Sequence, residues 1–339
     1  MSQNSIFAHM ILVTGGTGLV GAHLLLHLIE NGEQVRAIYR TEANCVKTKA
    51  LFSHYQKEHL FGAIEWIPGD ILDIPSLEMA FQDIKQVYHC AALISFDPKD
   101  EDAIRKTNIE GTANIVNFCL AKKTEKLCFV SSIAALGDLA PHESEITETT
   151  EWNPEKPHSD YAISKYGAEM EVWRGQQEGL KVIIVNPGVI LGPGFPSQGS
   201  GTLFTTIKKG LSYYTLGTTA FIAIPDVITT MYRLMKSDCC NERFTLIAEN
   251  LVFKDVFFTI ADALKVKRPT RYASPLLTTI AWKIDALLAF LSIKKRTFSR
   301  VTAKASHSAI PYSNQKIVSQ LEPTFTNIKT YIQEIAPTF

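Results

Sequence analysis

Neither sign of charge is in excess in this sequence: 34 Lys and Arg stand against 34 Asp and Glu, a formal net charge of +0. A general nucleic-acid binder would carry a basic surplus, so no nucleic-acid partner is expected. Cysteines are few, and none of the six (Cys45, Cys90, Cys119, Cys128, Cys239 and Cys240) stands in C-x-x-C spacing. They read as reduced thiols of a cytoplasmic protein, with neither a disulfide frame nor a metal site. The first residues lack a basic n-region, so no signal peptide is read, and residues 1–9 match no element. Internal repeats and low-complexity tracts are also missing. One stretch, Leu276–Leu291, comes near to a membrane span and is followed by Lys294-Lys295-Arg296. Lys283 and Asp285 interrupt it, and it falls short of the about 20 residues a span needs. It is expected to be a helix buried between lobes or in a dimer contact, with an interfacial helix as the alternative.

What is present is a chain of 339 residues, 46% of them hydrophobic, enough for a large core and a second lobe. It is organised around Ile11-Leu12-Val13-Thr14-Gly15-Gly16-Thr17-Gly18-Leu19-Val20-Gly21. A short apolar run leads into four glycines, and Leu19 to Ile29 continues as an apolar helix. Gly16 to Gly21 fits G-x-G-x-x-G in its required strand–turn–helix context. Such glycines permit the tight turn, the approach of a pyrophosphate to backbone, and close packing of helix on strand. The phosphates would then sit on free N–H groups at the helix N-terminus.

Strand and helix signals alternate down the chain, predicting an α/β fold with a doubly wound parallel sheet of Rossmann type. Strands are expected at Gln34–Tyr39, Ala63–Ile67, Gln86–Ala91, Lys126–Ser131 and Lys181–Val185. Helices are expected at Ser76–Phe81, Ala103–Lys122 and Tyr161–Gln177. After Gly188 the rhythm changes: Gly192–Gly201 is a loop, Thr202–Lys209 and Asp226–Met235 look helical, and Arg243–Ile247 is a strand that could return to the sheet edge. The remainder, from Lys254, looks mostly helical. The dinucleotide-binding domain is therefore placed at 10–188, with 226–248 returning to it. A smaller substrate lobe takes 189–225 and 249–339.

Three groups of residues carry chemistry. A carboxylate at the tip of the second strand would bind the ribose 2′-hydroxyl of NAD, but that strand ends in Arg40. An arginine suits a 2′-phosphate, so NADP is favoured, with NAD as the alternative. Tyr161 and Lys165, four apart, share one helix face, where an ammonium would draw a phenol's pKa toward neutrality. Ser131-Ser132 stands at the C-terminal end of the fifth strand, the edge at which open α/β sheets bind ligands. A hydroxyl there can hydrogen-bond a carbonyl oxygen that gains charge on reduction.

Together these residues resemble the extended class of the short-chain dehydrogenase/reductase superfamily, over roughly residues 10–250. Gly15, Thr17, Gly18, Leu19, Val20 and Gly21 match its cofactor turn, T-G-x-x-G-x-x-G. Asp70, followed by Ile71, matches the aspartate near the adenine. His89-Cys90-Ala91-Ala92, with Leu93 next, matches H-x-A-A beside the cofactor. Asn108 matches the asparagine of N-x-x-G-T, and Ser131-Ser132 with Gly137 the serine motif. Tyr161 and Lys165 fit the signature pair, and Asn186-Pro187-Gly188, with Val189, the turn near the nicotinamide. The resemblance implies that Ser132, Tyr161, Lys165 and Asn108 are catalytic. It also implies that the cofactor is held by the glycine turn, Arg40, Asp70, Ile71, Ala91–Leu93, Ser131, Tyr161, Lys165 and Pro187–Val189.

Within the class, Ser132 is followed by Ile133-Ala134 and not by the Asp-Glu of dehydratases, which disfavours dehydration. Val35-Arg36-Ala37-Ile38-Tyr39-Arg40 is similar to the V-R-x-x-x-R of dihydroflavonol-reductase-like enzymes. Pro311 to Lys316 resembles a tail motif of that branch and of hopanoid-associated epimerases. The expected activity is NADPH-dependent reduction of an aldehyde or ketone. A nucleotide-sugar epimerase that retains its cofactor, or a non-catalytic dinucleotide-binding protein, are the alternatives. The substrate, a small carbonyl compound or a sugar, would meet Leu93–Ala103, Gly192–Gly201 and Tyr213–Ile222; Phe96, Phe195, Phe204, Tyr213, Tyr214 and Phe221 make these stretches aromatic and apolar, and most of them are expected to be ordinary core residues. The class often dimerises through the helices read at Ala103–Lys122 and Tyr161–Gln177, so a homodimer is allowed for.

Overall fold

The computed structural model describes residues 10–95, 97–290 and 298–339. Phe96, the basic triplet 294–296 and the first nine residues lie outside them. In chain order the first half contains β1 (Met10–Thr14), α1 (Leu19–Glu30), β2 (Gln34–Tyr39), α2 (Cys45–His54), β3 (Ile64–Pro68), α3 (Ile74–Ala80) and β4 (Ile84–His89). It continues with α4 (Glu101–Arg105), α5 (Gly111–Ala121), β5 (Lys126–Val130), α6 (Asp160–Gln177) and β6 (Val182–Pro187). The second half contains β7 (Val189–Leu191), α7 (Gly201–Lys208), β8 (Tyr213–Tyr214), β9 (Thr218–Ala223), α8 (Ile224–Lys236), β10 (Glu242–Leu246) and β11 (Glu249–Val252). After these come α9 (Phe253–Ala263), β12 (Arg271–Tyr272), α10 (Pro275–Phe290), α11 (Arg300–Ala305), α12 (Gln315–Leu321) and α13 (Ile328–Ile335).

Seven strands form one sheet in the order β10-β6-β5-β4-β1-β2-β3, every neighbouring pair parallel. This is the Rossmann arrangement with β10 added at the edge beyond β6. The switch point, where chain direction across the sheet reverses, lies between β1 and β4. Each strand divides its side chains between two cores, because successive residues point to opposite faces. Ile11, Val13, Cys128, Val130, Ile183 and Val185 enter the core beneath α1 and α8, whereas Leu12, Leu127, Phe129, Val182 and Ile184 enter the core beneath α3, α5 and α6. Burial on both faces is why these strands read as unbroken apolar runs.

Two small sheets lie outside the main one. In one, β9 pairs parallel with β7 and antiparallel with β11; in the other, β8 pairs with β12. The tail returns to the main body, with Tyr312 bridging Ile146 and the Asn314 amide donating to Ile247 O at 2.8 Å.

Several expected elements differ from those observed. The strand expected at Gln86–Ala91 begins and ends two residues earlier. The helix expected from Ser76 starts at Ile74, because Asp73 caps it by accepting from Ser76 N at 3.1 Å. The single helix expected over Ala103–Lys122 is broken by a π turn at Lys106–Glu110, which carries Asn108. No element was expected at α2, whose Thr48 hydroxyl nevertheless donates to Gly16 O at 2.9 Å and braces the glycine turn. Phe195, Phe204 and Phe221 are core residues at 3%, 0% and 0% exposure, as expected for most of the aromatics named with the pocket segments. The apolar stretch at α10 is not buried between lobes: Leu276 is 70% exposed and Ile284 52%. None of the described helices is long and apolar enough to cross a membrane.

Candidate active site

A cavity of about 600 Å³ opens at the C-terminal edge of the sheet, over the switch point. Its floor is Gly15, Thr17 and Gly18. One wall is Tyr39, Arg40, Asp70 and Ile71, and the other is Cys90 to Ile94. Gly15 has φ +72°, and a Cβ there would lie 2.6 Å from Ala91 N, so only glycine lets β1 turn this tightly against β4. Gly21 serves packing: its Cβ would lie 2.2 Å from Gly15 O. The first turn of α1 has no side-chain cap and no acidic residue. Its N–H groups and positive dipole end therefore face the cavity floor, an arrangement that suits an anion.

The cavity also has residues that sequence reasoning missed. Asn44 and Lys47, from the start of α2, stand beside Arg40, and Ser197, Gln198, Gly199 and Thr202 close the far side. The loop containing Ser197 had been read as substrate wall. The cluster of Arg40 and Lys47 could have been found only by recognising α2 as a helix. Arg40 and Lys47 are the cations of this wall, and Asp70 is the carboxylate that lines it with them. A dinucleotide fits this lining in size, backbone donors and charge.

Ser132, Tyr161 and Lys165 are not among the residues that line that cavity; Lys165 comes near its wall through Cys90. Ser159 caps α6 by accepting from Ala162 N at 3.1 Å, which sets Tyr161 in the first turn. The Tyr161 phenol shares a hydrogen bond with the Ser132 hydroxyl, which also accepts from Ala134 N at 3.1 Å. Lys165 is buried; its Nζ donates to Val130 O at 2.7 Å and lies 4.5 Å from the centre of the Phe129 ring. Burial lowers Lys165 to about 8, opposed by Glu169 one turn on and by Cys90 of the cavity wall. The sequence led to a phenol drawn toward neutrality by that ammonium. Instead, burial raises Tyr161, and the Ser132 hydrogen bond opposes it only in part. The reason is that Lys165 Nζ is turned onto the Val130 carbonyl, while desolvation penalises a buried phenolate.

The other expected residues hold the frame. Asn108 is 1% exposed: its Oδ1 accepts from Leu93 N at 2.7 Å, and its Nδ2 donates to Leu93 O and to Ser164 Oγ. It thus ties the Leu93 wall to α6. The Ser131 hydroxyl points away from the cavity and donates to Glu169 Oε2 at 2.6 Å. Glu169, fully buried, is also held by Asn186 Nδ2 at 2.9 Å and Arg243 Nη1 at 3.0 Å. Asn186 donates to Ser132 O at 3.0 Å, fixing the end of β6 against the serine turn. Pro187, Gly188 and Val189 lie where β6 passes into β7, and Leu19, Val20 and Gly21 lie in the first turn of α1, behind the cavity floor. His89 sits beneath the glycine turn, bonded to the hydroxyls of Thr14 and Thr112 and lowered to about 3 by burial.

Comparison with known proteins gives a consistent picture. The profile of the NAD dependent epimerase/dehydratase family matches residues 11–244. A Synechocystis sp. protein that carries the name of a dihydroflavonol 4-reductase is 27% identical over 329 residues, covering 95% of this chain and 92% of that one. Sterol demethylase protein B of Methylococcus capsulatus is 26% identical, covering 89% and 88%. Among solved structures, the UDP-glucose 4-epimerase of Thermotoga maritima, determined with UDP-glucose, superposes with a TM-score of 0.76 at 19% identity, covering 97% and 98%.

Proposed function

Because the chain belongs to the NAD dependent epimerase/dehydratase family, we propose that it is an NADPH-dependent reductase of an apolar aldehyde or ketone. Bound over the glycine turn, the reduced nicotinamide would supply the hydride. Ser132 would hold the carbonyl oxygen, and Tyr161 would donate the proton to it. A phenol raised above its ordinary pKa is fully protonated at neutral pH, which suits a proton donor. Lys165, an ammonium below about 8, would hold ribose hydroxyls. Asn108, Glu169 and Asn186 would keep those three groups in register. Arg40 and Lys47 would take the 2′-phosphate.

The observation that carries reduction over nucleotide-sugar epimerisation is the placement of arginines. A sugar diphosphate wants guanidinium forks. Arg243 is engaged by Glu169 and by Glu148 O, Arg268 by Asp262, and Arg233 by Leu321 O. Arg271 lies over the Tyr213 ring on the lobe surface. The relatives named for dihydroflavonol reduction and sterol demethylation support an apolar, ring-containing substrate. The test is NADPH consumption over a panel of aldehydes and ketones. Stoichiometric oxidation of NADPH is expected with at least one aromatic or polycyclic carbonyl. Conversion of a UDP-hexose with no net cofactor turnover would establish the epimerase instead, and binding of NADPH without any turnover a non-catalytic role.

A further inference from the structure

Helix α10 is built inside out. Leu276, Ile280, Ile284 and Leu287, spaced four, four and three apart, lie along one side, at 70%, 46%, 52% and 57% exposure. The side turned to the protein carries Ala289 and also polar groups: Thr278, 6% exposed, bonds His307 Nε2 at 2.9 Å, and Asp285, 5% exposed, accepts from Phe298 N at 3.0 Å. A helix facing water has the reverse pattern. The row is extended at its N-terminal end by Tyr272 and by Tyr213 on the paired strand, 43% and 40% exposed. An apolar surface of this extent marks a place where something binds.

The surrounding charge says what. Lys265, Lys267, Arg271, Lys283, Arg300 and Lys304 are all exposed, Arg268 being paired with Asp262, and over 265–304 the sequence holds Asp285 as its acidic residue, turned inward. The chain as a whole is neutral, so this cationic surplus is concentrated here. A second copy of the chain would bring two cationic faces together, whereas an anionic bilayer offers apolar depth and negative headgroups at once. At 16 residues, α10 is about 24 Å long, short of the hydrocarbon core, so it would lie in the interface and not cross.

We propose that α10 docks the protein onto anionic membrane surfaces, with Leu276, Ile280, Ile284 and Leu287 entering the headgroup boundary and the flanking lysines and arginines meeting lipid phosphates. The test is sedimentation with vesicles of phosphatidylcholine alone or mixed with phosphatidylglycerol, at low and high salt. The protein should pellet with the anionic vesicles, stay in solution with the neutral ones, and be released by salt. Ile284→Ser and, separately, Leu276→Ser should each lower partitioning about tenfold. Lys283→Gln should lower it about fivefold on anionic vesicles. These positions are exposed, so thermal unfolding should match the wild type. Failure to pellet at low salt, or equal partitioning onto neutral vesicles, would overturn the proposal. So would a concentration-dependent dimer in light scattering that Ile284→Ser dissolves, which would assign the face to a second copy.

Discussion

The two ends of the cleft are made in opposite ways. At the glycine-turn end the protein leaves an open cavity over Gly15 and Gly18, with Arg40 and Lys47 among its lining residues. At the end proposed to be catalytic the side chains are already bonded to one another: Tyr161 to Ser132, Lys165 to Val130 O, Asn108 to Leu93 and Ser164, and Ser131 to Glu169. The difference follows from what each end has to do. Phosphates and ribose are recognised by donors that a strand end and a helix end leave open. Proton transfer needs three side chains held to a fraction of an ångström, which here requires a buried frame behind them. Substitutions should therefore separate cleanly, those at the open end changing affinity and those at the closed end changing rate.

The largest effect should come from Tyr161→Phe, which keeps the ring and removes the hydroxyl that bonds Ser132. It should lower kcat about 10²–10⁴-fold while leaving the Kd for NADPH nearly unchanged, measured by single-turnover kinetics and by titration. Equal losses in both would mean that the two ends are not separable. Next in size, Arg40→Ala should weaken NADPH by about 1.5–3 kcal/mol, the scale of a charge-assisted hydrogen bond, with little change for NADH. A variant that loses NADPH and NADH alike would place Arg40 elsewhere than at a 2′-phosphate.

The open end was the more legible one in the sequence. Gly15 is required by φ and Gly21 by backbone clearance, so their spacing carries the geometry directly. Tyr161 and Lys165 were likewise readable, since a four-residue spacing places them on one helix face. What Lys165 touches was not: its ammonium reaches Val130 O, 35 positions away in sequence, and no local pattern encodes that contact. The same holds for Glu169, which reads as a solvated helix charge until Ser131, Asn186 and Arg243 converge on it from three strands. The π turn at Asn108 is invisible to periodicity because its extra residue is absorbed within one apolar repeat. Helix α10 misled for a physical reason: a largely apolar run does not reveal that two of its polar residues, Thr278 and Asp285, are turned inward while Leu276, Ile280, Ile284 and Leu287 are exposed.

One group joins the two ends and provides the finest test of their separation. His89 accepts or donates to Thr14 beneath the glycine turn and to Thr112 on α5, and burial lowers it to about 3. His23 on α1, bonded to Leu19 O, is lowered to about 4 chiefly by burial as well. In the unfolded chain both would take a proton near 6.5. Between their folded values and 6.5 the unfolded state therefore binds more protons, and stability rises with pH. Their contribution is fully present above 6.5 and is lost as pH falls toward 4 and then 3. Each neutral histidine should contribute a slope of about 1.4 kcal/mol per pH unit in that window. Chemical unfolding at stepped pH should show the decline in the wild type, and His89→Asn should remove one histidine's share of it. If His89 couples the ends, NADPH affinity should fall in parallel with stability. Loss of stability with affinity held constant would show that the open end stands apart from the frame beneath it.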